Sequence, residues 1–565
     1  MANNRLKIVI IGGVAGGASA AARARRLSEN SSITLLEKGP YVSFANCGLP
    51  YALGGVIEDR EDLLLQTPES LKERFNLDVK IKTQVLSIDR EKRNVVARNE
   101  TTQSLETYPY DKLILSMGAE AIRPPLPGIN SKGVFTLQTI PDMDAVKNWI
   151  QQHGSRSATI IGGGFIGIET AENLVKLGLK VTLIERTDQV FPPTDRDIAN
   201  LIHTEMQKHG VSLLLESELK TIEELTGNKL RITFLANNRT DYLDSDLVIM
   251  AIGVRPRSSI AKESGLILGK FGGIQVDEFM RTSDPSIYAV GDVVEATQPQ
   301  FSQPTYIPLA GPANRQGRIA ADHIFGKTHA YRGTWGASVC QVFDLTVATT
   351  GLSTKGLKKL DKPYEWITIH PNDHAGYYPG ATPMTLKLVF DPTSGKILGS
   401  QIVGQGGVDK RIDVLSVALQ SNMTVFDLEH LELAYAPPYG SAKDPVNMAG
   451  FVASNVIRKD TQVIHVQDLE SALQKDTQLV DVRSSKEHQA GHIPSSMNLP
   501  IDSLRSEVER LDPKRPIIVY CQVGFRGYLA YRILSQLGFK VMNLDGGFKS
   551  WKASPSAEQK LKYCS

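Results

Sequence analysis

Short apolar runs, each closed by glycine or an acid and each followed by residues at helical spacing, recur along this chain. Lys7-Ile8-Val9-Ile10-Ile11 has no polar alternation and predicts a strand buried on both faces. Gly12-Gly13-Val14-Ala15-Gly16-Gly17 then turns into an Ala/Arg-rich helix, Ala18 to Leu27, and a strand from Ile33 to Leu36 ends at Glu37. The same succession returns at Ala158-Thr159-Ile160-Ile161, with Gly162-Gly163-Gly164-Phe165-Ile166-Gly167, a helix from Ile168 to about Leu177, and a strand Lys180 to Ile184 ending at Glu185. Three more strands, Lys112 to Ser116, Leu247 to Met250 and Ile287 to Val290, run into Met117-Gly118-Ala119, Ala251-Ile252-Gly253 and Gly291-Asp292. Residues 330–450 mix strands (Ser338 to Phe343, Leu386 to Phe390, Ile397 to Val403) with helices (Ile412 to Ser421, Val425 to Leu431). After a short linker, Arg458 to Thr461, a fresh α/β pattern starts at Val463.

At 565 residues the chain exceeds a single core and implies three or four domains. A net charge of +2 with both signs evenly spread leaves no nucleic-acid footprint and no reason for membrane steering. No apolar run reaches the ~18 residues that span a bilayer. Met1 to Lys7 leads straight into a strand, so a signal peptide's apolar segment is not expected. The four cysteines (Cys47, Cys340, Cys521, Cys564) lie far apart without CxxC or metal-like spacing. That predicts a cytoplasmic protein using thiols singly, with no structural metal. Cys340 and Cys564 read as packing and tail residues.

A strand, glycine turn, helix, strand and acid in this order make a dinucleotide site: turn N–H groups meet a pyrophosphate at the helix N-terminus, and the acid takes ribose hydroxyls. Val14 departs from the pattern, standing where the second glycine belongs. Two such units imply two dinucleotides. Glu185 repels a 2′-phosphate and favours NADH, although Arg186 beside it leaves NADPH open. Asp292, at a strand's carboxyl end, suits a ribityl hydroxyl. Between these lies Ser43-Phe44-Ala45-Asn46-Cys47-Gly48-Leu49-Pro50-Tyr51. A thiol of pKa ~8.5 is only about 3% thiolate at neutral pH, and a drop of about two units makes it mostly nucleophilic. A helix N-terminus near Gly48 and an adjacent electron-poor ring are expected to supply that drop.

These motifs, in this order over about residues 7–325, resemble the flavoprotein disulfide reductases with two dinucleotide-binding domains, the second inserted into the first. The resemblance implies an α/β fold of two nested Rossmann-like domains and an α+β dimerisation domain, ahead of a separate C-terminal α/β domain. The implied extents are residues 1–118 with 252–326 for FAD, 119–251 for NAD(P)H, 327–455 for dimerisation and 463–560 for the tail. FAD would be held by Gly12, Val14, Ala15, Gly17, Glu37, Lys38, Ser116, Gly118, Asp292, Pro308, Leu309 and Ala310. NADH would be held by Gly162, Gly164, Phe165, Ile166, Gly167, Glu185 and Gly253. A single cysteine flanked as Cys47 is resembles the coenzyme A-disulfide reductase and NADH oxidase/peroxidase branch. There a homodimer would bring Tyr377 and Tyr435 to the partner's cysteine, where a tyrosine hydroxyl donates to a leaving thiolate. Coenzyme A would be held by Ser19, Arg23, Arg26, Ser43, Asn46, Asn314 and Lys443.

The tail resembles a rhodanese domain in Asp481-Val482-Arg483, Gly491-His492-Ile493-Pro494 and Gly546-Gly547-Phe548. Its chemistry lies in Cys521-Gln522-Val523-Gly524-Phe525-Arg526, a loop expected to aim several N–H groups at the sulfur. The loop is one residue shorter than in related phosphatases, which favours sulfur transfer. Gln522, where thiosulfate users often carry a basic residue, favours persulfide as donor. The expected function is an FAD-dependent NADH:persulfide/polysulfide and coenzyme A-disulfide reductase. Cys521 would relay sulfane sulfur toward Cys47, with tethering raising the local concentration to the ~mM range. Substrates would be coenzyme A disulfide, its persulfide and polysulfide. The alternative is an NADH oxidase or peroxidase cycling Cys47 through sulfenic acid.

Overall fold

Ile8 and Ile10 enter one apolar cluster, with Ile33, Leu35 and Ile114, while Val9 and Ile11 enter another, with Leu36, Leu113 and Leu115. A strand at the centre of a parallel sheet feeds a core on each face, so polar alternation has no place in it. The computed structural model describes residues 5–554, and Cys564 and the end of the expected 463–560 domain lie outside them. Lys7–Ile11 pairs in parallel with Ser32–Leu36 and Lys112–Leu115 in a five-stranded sheet completed by Ile287–Ala289 and Asp78–Lys80. The second glycine unit repeats the arrangement, Ser157–Ile161 lying between Lys180–Ile184 and Leu247–Met250.

Both glycine helices begin three residues earlier than their composition suggests, at Ala15 and Phe165 rather than Ala18 and Ile168. Glycine is a poor helix former, yet Gly17 and Gly167 stand within their helices, where a Cβ on either would overlap the carbonyl of Gly12 or Gly162. Close seating of helix against strand outweighs propensity here. The chain crossings after Ser116 and Met250 pair with each other, Ala119–Ala121 antiparallel to Val254–Pro256, with Arg255 on Glu120 at 2.7 Å. Two three-stranded antiparallel sheets (Thr83–Asp89, Asn94–Asn99, Leu105–Pro109; and Ser217–Glu224, Leu230–Ala236, Arg239–Ser245) flank these units, and the sequence pattern alone does not single them out.

The chain divides into two compact units: residues up to Arg186 with Leu214–Thr334, and Thr187–Leu213 with the chain from Trp335 onward. Thr187–Leu213, expected within the 119–251 domain, thus clusters with the second unit. Buried charge explains it. Asp195 accepts bonds from Thr354 N, Lys355 N and Gln401 Nε2, and the almost fully buried Lys387 ammonium lies 3.0 Å from Asp195 and 2.9 Å from Asp197. In this unit Ser338–Val342, Leu345–Gly351, Ile397–Gly404, Thr385–Phe390 and Glu365–Ile369 form an antiparallel sheet in that order. It is packed by the helices Val408–Gln420, Val425–Glu429 and Pro445–Ile457. The tail is a parallel sheet ordered Val463–Ile464, Val541–Leu544, Ile517–Tyr520, Gln478–Asp481, Met497–Asn498. Its linker is pinned, Arg532 donating to Asp460 O at 2.8 Å. Among the described residues no helix is long and apolar enough to cross a membrane.

Candidate functional site

The two glycine loops have the same construction. Gly12 (φ +95°) and Gly162 (φ +106°) donate to the Leu36 and Ile184 carbonyls at 2.8 Å. Gly13 N and Gly163 N donate to Glu37 and Glu185 at 2.8 Å. Each acid therefore already braces its own loop, and the second oxygen of Glu37 takes Gly39 N at 2.7 Å. Val14 is the N-cap of its helix at φ −99°, and its counterpart Gly164 (φ −78°) has nothing within 4 Å of an added Cβ. Backbone conformation at this position does not require glycine, which is why valine is tolerated. Ala15 and Ile166 lie in the first turns, Ser116 Oγ faces Gly16, and Gly118 and Gly253 take φ of +67° and +116° beside the loops. Lys38 is exposed. Pro308 and Leu309 precede the 15-residue helix Ala310–Ile324, with Leu309 as N-cap. Asp292 is half-buried with its carboxyl unpaired among the described residues, and burial pushes its pKa up. An unpaired acid, open glycine faces and two helix N-termini suit two dinucleotides.

Cys47 sits in a 3₁₀ turn, Asn46–Gly48, ahead of the short helix Leu49–Leu53, and is exposed. Its thiol does not behave as the sequence suggests. Protein packed around the sulfur, then the charges of Glu169 and Asp292, hold its pKa above the ordinary value. A five-residue helix is too short to outweigh two carboxylates. Glu169 comes from the second glycine helix, where Tyr51 donates to it at 3.0 Å and burial raises its own pKa. It lies four residues after Phe165, on the same helix face as the glycine loop's end, a spacing that marks it in the sequence.

Several expected coenzyme A residues come together. Ser19 Oγ donates to Asn314 Oδ1 at 2.5 Å, where their two helices pack through Gly16 and Gly317. Ser43 is held at φ +47° with its N–H on the Gly13 carbonyl, and exposed Asn46 adjoins Cys47. Arg26 is exposed, but Arg23 is paired with buried Asp322 at 2.6 Å, so it is not the free cation that its position suggests. In the second unit the Tyr377 and Tyr435 hydroxyls lie 2.8 Å apart on exposed rings, a bond that raises the Tyr377 pKa. Their loops are joined by Ala375 N on Gly440 O and by buried Arg411, which grips Asp444 at 2.8 Å and the Asp373 carbonyl at 2.8 Å. Lys443 is exposed next to Asp444.

Cys521 closes the strand Ile517–Tyr520 and is buried at the base of its loop. One amide, Gly524 N at 3.2 Å, points at the sulfur, rather than the several expected, and the Arg526 guanidinium is beside it. Gly524 takes φ +99° and caps the helix Phe525–Gln536. Val523 is half-exposed and Phe525 exposed at the loop's rim. Glu487, capped by Ser484, holds Arg526 through bonds of 2.6 and 2.8 Å, and those bonds bring its pKa down to about 2. Buried Arg483 pairs with Asp481 at 2.7 Å, donates to Gln522 Oε1 at 3.0 Å and lies 4.2 Å over the Phe548 ring. The tail's three sequence marks thus interlock around one loop. Among the described residues Glu205, His209 and Asp344 could meet a metal, but Lys208 already lies 2.9 Å from Asp344.

The family described as pyridine nucleotide-disulphide oxidoreductase matches residues 6–317, its dimerisation domain residues 337–444, and the rhodanese-like domain residues 465–554. The coenzyme A disulfide reductase of Staphylococcus haemolyticus (strain JCSC1435) is 37% identical over 451 residues, 80% of this chain and all of that protein. The solved structure of reduced Bacillus anthracis CoADR-RHD is 48% identical with a TM-score of 0.95, covering 97% of this chain and 98% of that one. A NAD-dependent persulfide reductase from A. fulgidus is 36% identical with a TM-score of 0.91, covering 97% of this chain and all of that one.

Proposed function

Since the chain belongs to the pyridine nucleotide-disulphide oxidoreductase family, with a rhodanese-like domain at its C-terminal side, we propose that it is an FAD-dependent NADH:persulfide and coenzyme A-disulfide reductase. One observation carries the reading: two cysteines of different construction on one chain. Cys47 lies where two dinucleotide units meet, linked by the Tyr51–Glu169 bond, and Cys521 lies in a loop with an amide on its sulfur.

When bound, FAD supplies a two-electron path from NADH to sulfur. The chain's own part begins with Glu185, which orders the second loop and, beside a ribose 2′-hydroxyl, disfavours a phosphate there. Gly12, Gly17, Glu37, Asp292 and the helix start at Pro308–Ala310 hold the flavin nucleotide. Within the chain, burial first and then the charges of Glu169 and Asp292 hold the Cys47 pKa above its ordinary value. Ser19, Asn314, Ser43, Asn46, Arg26 and Lys443 hold coenzyme A, and Arg23 contributes only as far as it is shared with Asp322. The chain acts as a homodimer: Tyr377 and Tyr435, 75% and 46% exposed, belong to a face that a second copy covers, and one hydroxyl of that hydrogen-bonded pair donates to the departing thiolate. At Cys521 the sulfur attacks a sulfane sulfur, the donor leaves as a thiolate, and the new persulfide lies under Gly524 N–H and Arg526. NADPH is a poorer donor than NADH.

An anaerobic panel tests this. NADH loss and sulfide release are followed with coenzyme A disulfide, its persulfide, polysulfide, thiosulfate and peroxide. Turnover with the first three and not the last supports the reading; turnover with peroxide alone would replace it by a peroxidase.

A further inference from the structure

The Cys521 loop has a back wall, and that wall is held from outside the tail. Phe548 N donates to the Cys521 carbonyl at 2.8 Å, Lys549 N to the Gln522 carbonyl at 3.0 Å, and Asn543 Nδ2 to the Gly524 carbonyl at 3.2 Å. Gly547, at φ +62°, lies so close that a Cβ would press on the Cys521 carbonyl and come within 3.0 Å of Gly524 N. The segment Asn543–Lys549 therefore sets the position of the amide that points at the sulfur.

The same segment is gripped on its other side by the strand Glu365–Ile369 and the residue after it. Thr368 N donates to Asp545 Oδ1 at 2.9 Å. His370 bridges two hydroxyls, Ser550 Oγ at 2.9 Å and Thr385 Oγ1 at 3.0 Å. His465, stacked on Trp366 at 3.5 Å, lies 2.7 Å from Glu365 and 3.5 Å from Asp545. Thr368 and Asp545 are each only 6% exposed. Buried polar bonds of this kind hold their geometry because a buried donor or acceptor left unpaired is costly.

We infer that Thr368 and His370, by gripping Asp545 and Ser550, position the Cys521 loop for sulfur transfer. These residues touch no substrate. They are positioning residues, and the inference rests on the reading of Cys521 as a sulfur acceptor. In the step concerned, the Cys521 thiolate attacks a terminal sulfane sulfur of polysulfide, the donor's S–S bond breaks, a polysulfide one atom shorter leaves as the anion, and no net oxidation occurs. A back wall displaced by a few tenths of an ångström lengthens the Gly524 N–H contact and weakens its hold on the thiolate.

The test uses the full chain carrying Cys47→Ser, exposed anaerobically to inorganic polysulfide, with persulfide on Cys521 followed in time by mass spectrometry across pH. His370→Phe should slow loading at pH 7 by tenfold or more, Ser550→Ala by several-fold, and both should move the pH profile to the alkaline side. In the chain with Cys47 intact, both substitutions should leave NADH turnover with coenzyme A disulfide within twofold. Loading rates and profiles matching the parent would overturn the inference, as would an equal fall in coenzyme A-disulfide turnover, which marks a general loss of structure. If His370→Phe does not fold, Ser550→Ala carries the same comparison. A parent chain that takes up no sulfur on Cys521 overturns the reading beneath and this inference with it.

Discussion

A carboxylate facing a thiol works against the thiolate, and Cys47 faces two. Glu169→Gln removes one of the charges that raise the Cys47 pKa, so the thiolate gains and that pKa should fall. The pH at which iodoacetamide begins to alkylate Cys47 in the flavin-free protein should move to the acid side; an alkaline shift would mean that Glu169 acts on the thiol in some other way. Glu185 presents the complementary case. Its bond to Gly163 N braces the loop, and in the proposed site its charge disfavours a 2′-phosphate. Glu185→Ala should narrow the preference for NADH over NADPH by about tenfold, ~1.4 kcal/mol in the ratio of kcat/KM values. Steady-state kinetics with both nucleotides measure it.

At the scale of elements, the loops bearing Tyr377 and Tyr435 are joined by one buried guanidinium. Arg411→Met leaves Asp444 buried without its partner, a loss on the order of 3–5 kcal/mol. Thermal unfolding should begin several degrees lower, and activity should fall even at temperatures where the chain remains folded. The strand Glu365–Ile369 and the tail are joined by histidines that titrate in opposite senses. Bonds to Asp545 and Glu365, overcoming burial, raise the His465 pKa to about 9. Its contribution is complete below the unfolded value of ~6.5 and is lost as pH rises through about 9. Burial, with Lys549 nearby, lowers the His370 pKa to about 3, so its contribution is present above ~6.5 and is lost as pH falls from there. Each is on the order of 3–5 kcal/mol when fully expressed. Calorimetry across pH should therefore find the thermal stability of this unit greatest near neutrality and declining on both sides; a monotonic profile would show that one of the two histidines is not held as described.

At the scale of the whole molecule, the two sulfur sites are separable by chemistry. Cys521→Ala should spare turnover with coenzyme A disulfide and lower turnover with persulfide or polysulfide by tenfold or more, whereas Cys47→Ser should abolish both while FAD stays bound. Equal rates for Cys521→Ala and the parent on persulfide would remove the relay.

What the amino-acid order determined by itself was much of the local structure, though not where the two glycine helices begin nor the two antiparallel three-stranded sheets. An uninterrupted apolar run is a strand buried on both faces, a glycine turn between strand and helix is a dinucleotide loop, and Glu37 or Glu185 stands at the end of the next strand because the strand's length puts it there. The Cys521 loop was legible in the same way, through its length and its arginine. Tertiary structure decided whatever depends on neighbours distant in the chain. Arg23 is engaged only because Asp322 arrives from another helix, and the Cys47 pKa rises because burial and then the charges of Glu169 and Asp292 converge on it. Thr187–Leu213 clusters with the second unit because a buried lysine there needs Asp195 and Asp197. Periodicity records which face of an element is apolar, but the field at an atom and the partner of a buried charge are sums over groups that only folding brings within range.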